Sequence, residues 1–490
     1  MSTSEVHTDL SRRGFVQAGA VAGAGVALAG STAVLSSAPG ALATGREDER
    51  QPGYGPLVPD PDGILSLPAG FSYRILTRAG HTRLDSGEAT PERHDGTGAF
   101  PGPLGTELLV VNHELKGPRS GWAHPVPPAP GLVYDPAASG GCTVVEVADG
   151  GAHVTEWVGL AGTSTNCAGG TTPWGTWLTC EENSDRAGER GMTRDHGYVF
   201  EVDPGDRAAN RDPRPVKALG RFDHEAVVVD PGRGHLYLTE DAAGPNGLFY
   251  RWTPPPGFRH GRGALRTLAE DAGRLQAFRC FDSRGRFVDD LSRAGRIGTV
   301  YGVDWVDVPD RDARRTPVRR QFADGRVTRA RKLEGMWWGE GGVFLVSSYA
   351  RAEDSPGTPH DGQVWFYQPR RRTLTLRLRF GLAPSPAGAG LTHRPDRPDR
   401  PDGPDSITVS PYGGLIIAED GRGHQHLFGA TDDGRTYPLA RNEVNTGTAA
   451  EPEYSEFAGV VFSGDGRTLY ASIQRPGILL AITGPWRRQK

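Results

Sequence analysis

The segment Gly105–Glu114, GTELLVVNHE, begins with a glycine turn, continues as an apolar strand and ends in polar side chains. The same order of turn, strand and polar end recurs five more times along the chain. The other copies are Gly175–Asn183 (GTWLTCEEN), Arg233–Asp241 (RGHLYLTED), Gly341–Tyr349 (GGVFLVSSY), Gly413–Asp420 (GGLIIAED) and Gly466–Gln474 (GRTLYASIQ). A recurring β unit with insertions between its copies is typical of a β-propeller. We therefore predict an all-β chain, a six-bladed β-propeller with long inter-blade loop insertions.

The composition agrees with a turn-rich β protein. The chain has 490 residues, of which 69 are glycine and 40 are proline, and apolar runs separate the turn residues. Such a pattern favours many short strands over disorder. The net charge is only −4, and no block of Lys and Arg stands alone. Nucleic acid is therefore not an expected partner.

The N-terminus has the features of an export signal. Ser11–Val16, SRRGFV, fits the twin-arginine pattern, and Ala41–Ala43 offers a small-x-small cleavage site. The stretch between them is poor in Leu, Ile and Phe, which favours cleavage over a retained membrane anchor. We predict a signal peptide over residues 1–43 and export of the folded protein by the twin-arginine machinery, a route that often serves metal-loaded proteins. The mature chain is then secreted or otherwise extracytoplasmic, with no stable anchor.

The remaining sequence predicts one domain. Residues 44–66 are rich in Pro and Gly and indicate a lead-in loop, and residues 67–486 indicate a single β-propeller catalytic domain. Insertions are predicted over 185–215, 253–330, 350–362 and 381–404, with a short helix over Ala264–Arg279. Phe71–Leu76 is a candidate strand that closes the ring against the last repeat.

Carboxylates occur at both ends of the predicted hairpins. In an antiparallel hairpin the start of the first strand lies beside the end of the second. His224–Glu225 precede Glu240–Asp241, and Asp405 precedes Glu419–Asp420. By the same rule ten carboxylates are predicted to converge on one rim: Glu181, Glu182, Glu225, Glu240, Asp241, Glu334, Asp405, Glu419, Asp420 and Glu456.

The charge of this set predicts bound cations. Two carboxylates about 4 Å apart repel by about 4 kcal/mol at an effective dielectric constant near 20. No matching set of Lys and Arg accompanies the strand ends. Oxygen ligands suit Ca²⁺, and a thiolate beside carboxylates suits a transition ion. The alternative for any single acid is a solvated side chain at a strand end.

The four cysteines Cys142, Cys167, Cys180 and Cys280 match no dense disulfide framework. Cys180 lies next to Glu181, Glu182 and Asn183, and two roles are open for it. It is a candidate metal ligand, or it forms a disulfide with Cys167. The pairing of the other cysteines is not assigned.

Several strings, together with the twin-arginine leader, resemble the PhoX-type alkaline phosphatase family. They are Thr179–Asn183 (TCEEN), Phe222–Ala226 (FDHEA), Lys332–Trp338 (KLEGMWW), Pro404–Ile407 (PDSI) and Glu456–Gly459 (EFAG). The resemblance implies a β-propeller that hydrolyses phosphate monoesters outside the cytoplasm, with Fe³⁺ and Ca²⁺ at the mouth of its channel. It implies Cys180 as an iron ligand, Glu225 and Glu334 as iron-bridging or iron-binding carboxylates, and the remaining acids as calcium ligands.

The resemblance also implies two phosphate contacts. Lys332 stands where the family is expected to carry an arginine beside the acidic ligand Glu334, and Asn183 follows the ligand string. Two other functions compete with a phosphatase. A calcium-dependent propeller hydrolase, such as a lactonase or a phytase-like enzyme, would need no thiolate. A non-enzymatic binding propeller would bind calcium without iron and turn over no phosphate ester.

Overall fold

The computed structural model describes residues 52–148, 151–350, 359–380 and 401–489. These residues lie within one compact unit, Gln51–Lys490. The predicted signal peptide and most of the insertions at 350–362 and 381–404 lie outside the described residues. In the described ranges, no helix has the length and hydrophobicity needed to cross a membrane.

The described ranges contain 27 strands. The first fourteen are β1 Leu57–Val58, β2 Leu65–Pro68, β3 Ser72–Arg78, β4 His94–Pro101, β5 Glu107–His113, β6 Gly140–Ala148, β7 Ala152–Thr163, β8 Asn166–Thr171, β9 Trp177–Glu181, β10 Val199–Val202, β11 His224–Val229, β12 Leu236–Glu240, β13 Phe249–Thr253 and β14 Arg274–Phe281. The others are β15 Phe287–Val288, β16 Val300–Asp307, β17 Leu333–Gly339, β18 Gly342–Ser347, β19 Gly362–Gln368, β20 Thr373–Phe380, β21 Pro404–Val409, β22 Leu415–Glu419, β23 His426–Ala430, β24 Thr436–Asn442, β25 Phe457–Phe462, β26 Thr468–Ile473 and β27 Ile478–Thr483.

Helical structure in the same ranges is limited to six 3₁₀ turns. They are Pro103–Gly105, Arg119–Gly121, Lys217–Leu219, Leu265–Thr267, Leu291–Arg293 and Val318–Arg320. The all-β prediction is therefore confirmed.

The strands form five sheets. Three of them follow the orders β4-β5-β6-β7, β8-β9-β10 and β25-β26-β27-β3. A fourth has the order β1-β2-β24-β23-β22-β21, and the fifth is a ten-stranded sheet, β11-β12-β13-β14-β16-β20-β19-β18-β17, with β15 on β14. Apolar side chains of neighbouring strands bury one another between the sheets. Val144, Trp157 and Phe200, for example, share one cluster.

The six predicted apolar strands are confirmed as β5, β9, β12, β18, β22 and β26. Each pairs antiparallel with the strand before it. We call those preceding strands, β4, β8, β11, β17, β21 and β25, the inner strands. Each inner strand contacts the next in this order, and β25 contacts β4 again. The closed succession makes the fold propeller-like. The predicted closure near Phe71–Leu76 is also confirmed, because β3 pairs with the last strand, β27.

Two local predictions were wrong. The segment Ala264–Arg279 contains a 3₁₀ turn, Leu265–Thr267, and the start of β14 instead of a helix. Gly273 lies between them with φ of +66°, a left-handed conformation that suits glycine, and β14 pairs with β13 and β16 on its two sides. The predicted lead-in loop contains β1 and the start of β2, and β2 extends the sheet of β21–β24.

One irregularity recurs in every hairpin. The pairing register between inner strand and second strand shifts within the first residues of the inner strand in all six pairs. Such β-bulges turn a side chain away from the regular alternation and are common at the rims of barrels and beside active sites. The bulges therefore mark the rim where the functional side chains were predicted.

Candidate metal centre

Each of the first five inner strands carries a potential metal ligand at its second residue, inside the bulge. These residues are Asp95, Cys167, Glu225, Glu334 and Asp405. The sixth inner strand has Ala458 at this position, and Glu456 lies just before the strand. The bulges pack closely on one another. A Cβ on Gly96 would lie 2.7 Å from the Cα of Ala168, and one on Gly459 would lie 2.3 Å from the carbonyl oxygen of Asp95.

The predicted acids at the ends of the second strands fall into two groups that differ in the direction of the side chain. The last residue of β9, β12 and β22 is Glu181, Glu240 and Glu419, and each is held inside its own sheet. Glu181 accepts hydrogen bonds from the backbone N–H groups of Ser164, Gly197 and Tyr198. The Oε2 atom of Glu240 accepts the Tyr250 hydroxyl at 2.6 Å, and Glu419 accepts the backbone N–H groups of Asp402 and His426.

These three residues therefore do not join the other acids, contrary to the prediction from sequence. Successive residues of a strand point in opposite directions. The residue that follows each of the three, Glu182, Asp241 and Asp420, belongs to the other group. Of the ten predicted carboxylates, three are held in their sheets and seven come together.

Asp95 and Glu114 complete this group, although the sequence-based set did not include them. The carboxylate cluster, as we call it, consists of Asp95, Glu114, Glu182, Glu225, Asp241, Glu334, Asp405, Asp420 and Glu456. The hairpin rule, applied to the first repeat GTELLVVNHE and the strand before it, would have identified both residues.

Burial and mutual repulsion act together on the cluster. Burial is the main cause that raises the pKa of Glu225 well above its ordinary value, and the negative charges of Glu334, Glu182 and Asp405 add to it. Burial likewise raises the pKa of Glu114 to about 7, although Arg93 and Lys116 oppose the shift. Without cations the chain would have to keep several of these carboxyl groups protonated near neutral pH.

Glu225 is the best evidence that the cluster suits a metal. Its side chain is only 1% exposed, and neither carboxylate oxygen accepts an N–H or O–H group among the described residues, the thiol of Cys167 being a weak donor beside it. Burying an unpaired carboxylate is strongly unfavourable unless it binds a cation or takes up a proton. Glu225 also belongs to both groups of residues whose ligand atoms could hold an ion.

The two groups differ in ligand type. One consists of Cys167, Glu182 and Glu225, and the other of Glu225, Glu334 and Asp405. Within each group the ligand atoms lie within 4.8 Å of one another. A thiolate with carboxylates favours a transition ion, and an all-carboxylate set favours a hard cation such as Ca²⁺. Glu225 is the residue that the two groups share.

Cys167, not Cys180, is the cysteine that the structure places among the carboxylates. Its Sγ lies 4.0 Å from Oδ2 of Asp95, whereas Cys180 is fully buried in an apolar cluster with Leu178 and Val199. Cys180 is the residue before the last of its strand, and it faces the neighbouring sheet. The two cysteines form no disulfide, and all four thiols are free.

A hydrogen-bonded asparagine supports the bulge that carries Cys167. The side-chain amide of Asn112 on β5 donates to the carbonyl oxygens of Cys167 at 2.7 Å and Ala168 at 2.8 Å. Its oxygen accepts the indole N–H of Trp177 and the thiol of Cys142. Asn112 therefore fixes the backbone at the thiol from the neighbouring sheet.

Of the two predicted phosphate contacts, only Lys332 lies at the cluster. Its Nζ is 3.2 Å from Oε1 of Glu334 and 3.9 Å from Oδ2 of Asp420, and about a third of the side chain is exposed. The charge of Glu334, ahead of Asp241 and Asp420, raises the pKa of Lys332 far above its ordinary value. The Asn183 amide instead donates to the carbonyl of Ser164 at 2.6 Å and accepts from the backbone of Asp185, within its own loop.

The charges of the described residues do not balance inside the cluster. Nine carboxylates face the cations Lys332, Arg93 and Lys116, and Lys116 is exposed. The donor set of carboxylate oxygens and one thiol fits bound metal cations better than the few basic residues nearby.

Comparison with known proteins identifies the family of the chain. The family model described as alkaline phosphatase PhoX matches residues 52–156 and 149–477. A solved structure of Pseudomonas fluorescens PhoX, in complex with the transition state analogue vanadate, has the same fold. It is 19% identical, the match covers 89% of this chain and 98% of that chain, and the TM-score is 0.64.

More distant similarity includes a gluconolactonase from Xanthomonas campestris. It is 13% identical over 88% of this chain and 99% of that chain, with a TM-score of 0.40. No curated protein sequence matches the chain. The family match spans most of the described residues, including every member of the carboxylate cluster and Cys167. The chain belongs to the PhoX family of alkaline phosphatases.

Proposed function

We propose that this phosphatase hydrolyses phosphate monoesters at a mixed iron and calcium centre, with Cys167, Glu182 and Glu225 at the iron. The observation that carries the proposal is the buried carboxylate of Glu225, which accepts no N–H or O–H group among the described residues, has the Cys167 thiol beside it and belongs to both candidate metal groups. Glu334 and Asp405 would hold a neighbouring ion, and the remaining acids of the cluster would hold calcium. When bound, such ions supply Lewis-acid catalysis for transfer of the phosphoryl group to water.

Lys332 would bind a phosphate oxygen. Its ammonium group is held at the edge of the cluster by Glu334 and Asp420, and part of the side chain reaches solvent. Because its pKa is raised, Lys332 stays charged throughout the alkaline range. A fixed positive charge next to the reacting phosphoryl group stabilises the charge that develops in the transition state.

The backbone next to Lys332 is restrained at several points. Lys332 itself has a left-handed φ of +41°, and the hydroxyl of Ser347 donates to the carbonyl of Arg331 at 2.6 Å. Arg331 forms a buried ion pair of 2.8 Å with Asp290 in the preceding insertion. These contacts favour one position of the ammonium group, which is a requirement for catalysis by electrostatic stabilisation.

The fold that gathers these residues is, we propose, a six-bladed propeller. The ten-stranded sheet would count as two blades, β11–β14 and β17–β20, joined through the pairing of β16 with β20. The closed order of the inner strands and the six bulges support this count. We also propose that the enzyme acts outside the cytoplasm after twin-arginine export, on the evidence of residues 1–43.

The proposal is tested with protein exported in its native form. Iron and calcium are quantified by elemental analysis, and hydrolysis of p-nitrophenyl phosphate is measured before and after chelation. We expect both metals to be bound and activity to be lost on chelation. Folded, active protein without iron would instead favour a calcium-only propeller hydrolase. Bound calcium with no turnover would favour a non-enzymatic binding propeller.

A further inference from the structure

A second cationic side chain occupies the same place in the repeat as Lys332. Lys332 is the residue directly before inner strand β17, and Arg93 is the residue directly before inner strand β4. The other residues at this position are Thr165, Asp223, Gly403 and Glu456. Of the six residues that directly precede an inner strand, Arg93 and Lys332 are thus the two with a basic side chain.

The backbones of the two residues are alike. Arg93 has a φ of +57° and Lys332 has a φ of +41°, which are uncommon values for residues with a side chain. The carbonyl of Arg93 accepts the backbone N–H of Glu114 at 2.9 Å, and that of Lys332 accepts the N–H of Ser348 at 2.8 Å. Both residues are therefore tied in the same way to the end of the second strand.

The two residues reach the carboxylate cluster from different sides. In the succession of inner strands, β4 and β17 are three steps apart in either direction. Lys332 lies against Asp420, with Nζ 3.9 Å from Oδ2. Arg93 donates to Oε1 of Gln474, whose amide donates to Oε2 of Glu114 at 2.6 Å. The cluster therefore has one cation on each side.

Arg93 retains donors for a ligand. Among the described residues its guanidinium makes one hydrogen bond, from Nη1 to Oε1 of Gln474 at 2.8 Å. It lies 5.4 Å from the centre of the Trp122 ring, whose indole N–H is held by the carbonyl of Lys116. A guanidinium at this distance from an indole ring is attracted to the ring, and its fork of five donors is able to bind two oxygens of one anion.

We infer that Arg93 recognises a second anionic group on the substrate, a carboxylate or a further phosphate on the leaving group. The inference rests on the proposed function, in which Lys332 and the metal centre hold the phosphoryl group that is transferred. The leaving group then extends across the cluster toward Arg93. The preferred substrates are phosphate monoesters of alcohols that carry a second anionic group, and phosphate monoesters of uncharged alcohols are weaker substrates.

The test compares two esters that differ in this second charge. kcat/KM is measured for 3-phosphoglycerate and for glycerol 2-phosphate with the metal-loaded wild type, Arg93→Gln and Arg93→Lys. For Arg93→Gln we expect a loss of about tenfold or more on 3-phosphoglycerate, through KM, and a change within about twofold on glycerol 2-phosphate, since a charge-assisted hydrogen bond is worth about 1.5–3 kcal/mol. Arg93→Lys should recover part of the loss.

Lys116→Gln is the matched control, because Lys116 also affects the charge of Glu114 but is exposed and lies outside the repeated position. It should leave the preference between the two esters unchanged. An equal loss on both esters, or no loss, would overturn the role of Arg93 and leave the phosphatase function intact. Hydrolysis of neither ester by the wild type would contradict the proposed function itself, and the inference with it.

Discussion

Cys167 and Cys180 lie on neighbouring strands of one sheet and differ in the side chains that they contact, although the charge of Glu225 acts on both thiols. Cys167 occupies a bulge on inner strand β8, beside Asp95, Glu182 and Glu225. Cys180 occupies a regular position on β9 and packs among apolar side chains. A residue of this fold therefore reaches the carboxylate cluster by its place in the bulge or just past the strand end. Proximity to other acids in the sequence is not sufficient.

Glu225 and Glu240 differ in the same way, since Glu225 lies in the cluster and Glu240 does not. Variants of these two residues should show the largest difference in bound metal and in activity. Glu225→Ala removes the ligand shared by both candidate groups, so we expect loss of bound metal and a fall in kcat of more than about a hundredfold. Glu240 accepts hydrogen bonds from Tyr250 on the neighbouring strand and from Arg319 in the 3₁₀ turn Val318–Arg320. Glu240→Gln should therefore lower the melting temperature and retain metal. Equal metal loss in the two variants would contradict the division of acids described above.

Variants of the two cysteines should differ almost as much in bound iron and in activity. Cys167→Ser replaces the only thiol of the candidate metal groups, and we expect loss of the transition ion and at least about tenfold lower activity. Cys180→Ala leaves the ligands in place and removes a buried sulfur, at a cost of about 1–2 kcal/mol in the free energy of unfolding. Elemental analysis and denaturant titration measure the two effects. Loss of iron in Cys180→Ala alone would reverse the assignment.

Removal of the metal ions by chelation should make the stability of the folded chain depend on pH, because the carboxylates of the cluster then repel one another. Burial raises the pKa of Glu114 to about 7, and those of Glu225 and Asp405 are also raised. The folded, metal-free chain therefore binds more protons than the unfolded chain above about pH 4.5, and its stability falls as the pH rises through 7. We expect the melting temperature of the chelated protein to drop by about 5 °C or more between pH 5 and pH 8. The metal-loaded protein should show a much smaller change, and equal changes would count against a metal-bound cluster.

The smallest effect concerns the support of the bulges. Asn112→Ala removes the donors that hold the carbonyls of Cys167 and Ala168, so we expect a stability loss of about 1–3 kcal/mol and weaker iron binding. Thr239 holds the same position in β12, and its hydroxyl donates to the carbonyl of Glu334 at 3.0 Å. Thr239→Val should cost similar stability without a specific loss of iron. If Asn112→Ala binds iron as tightly as the wild type, the bulge does not depend on this contact.

The sequence predicted the second strands well because two signals coincide there. A glycine or aspartate turn precedes an apolar run such as Leu236–Glu240, and the pairing follows from hairpin geometry. Seven of the ten acids were placed correctly for the same reason. The hairpin rule brings both ends of the two strands to one rim, where Glu225 and Asp241 do meet.

The remaining errors come from information that the local sequence does not carry. Whether Glu181 or Glu182 enters the cluster depends on the phase of the strand at its end, which is set by bonds to Ser164 and Gly197. Cys180 was assigned in place of Cys167 because the resemblance centred on the string TCEEN, whereas the bulge that carries Cys167 is visible only in the pairing register. The helix predicted over Ala264–Arg279 was wrong because pairing of β14 with β13 and β16, which the local sequence does not show, decides the conformation of this segment.

The central claim is that a thiolate from Cys167 and the carboxylate of Glu225 share one metal ion. The most direct measurement is X-ray absorption at the iron edge of the natively exported enzyme and of its Cys167→Ser and Cys180→Ser variants. We predict a sulfur neighbour of iron in the wild type that is kept in Cys180→Ser and lost in Cys167→Ser. Absence of sulfur in the wild type, or its loss only in Cys180→Ser, would contradict the claim.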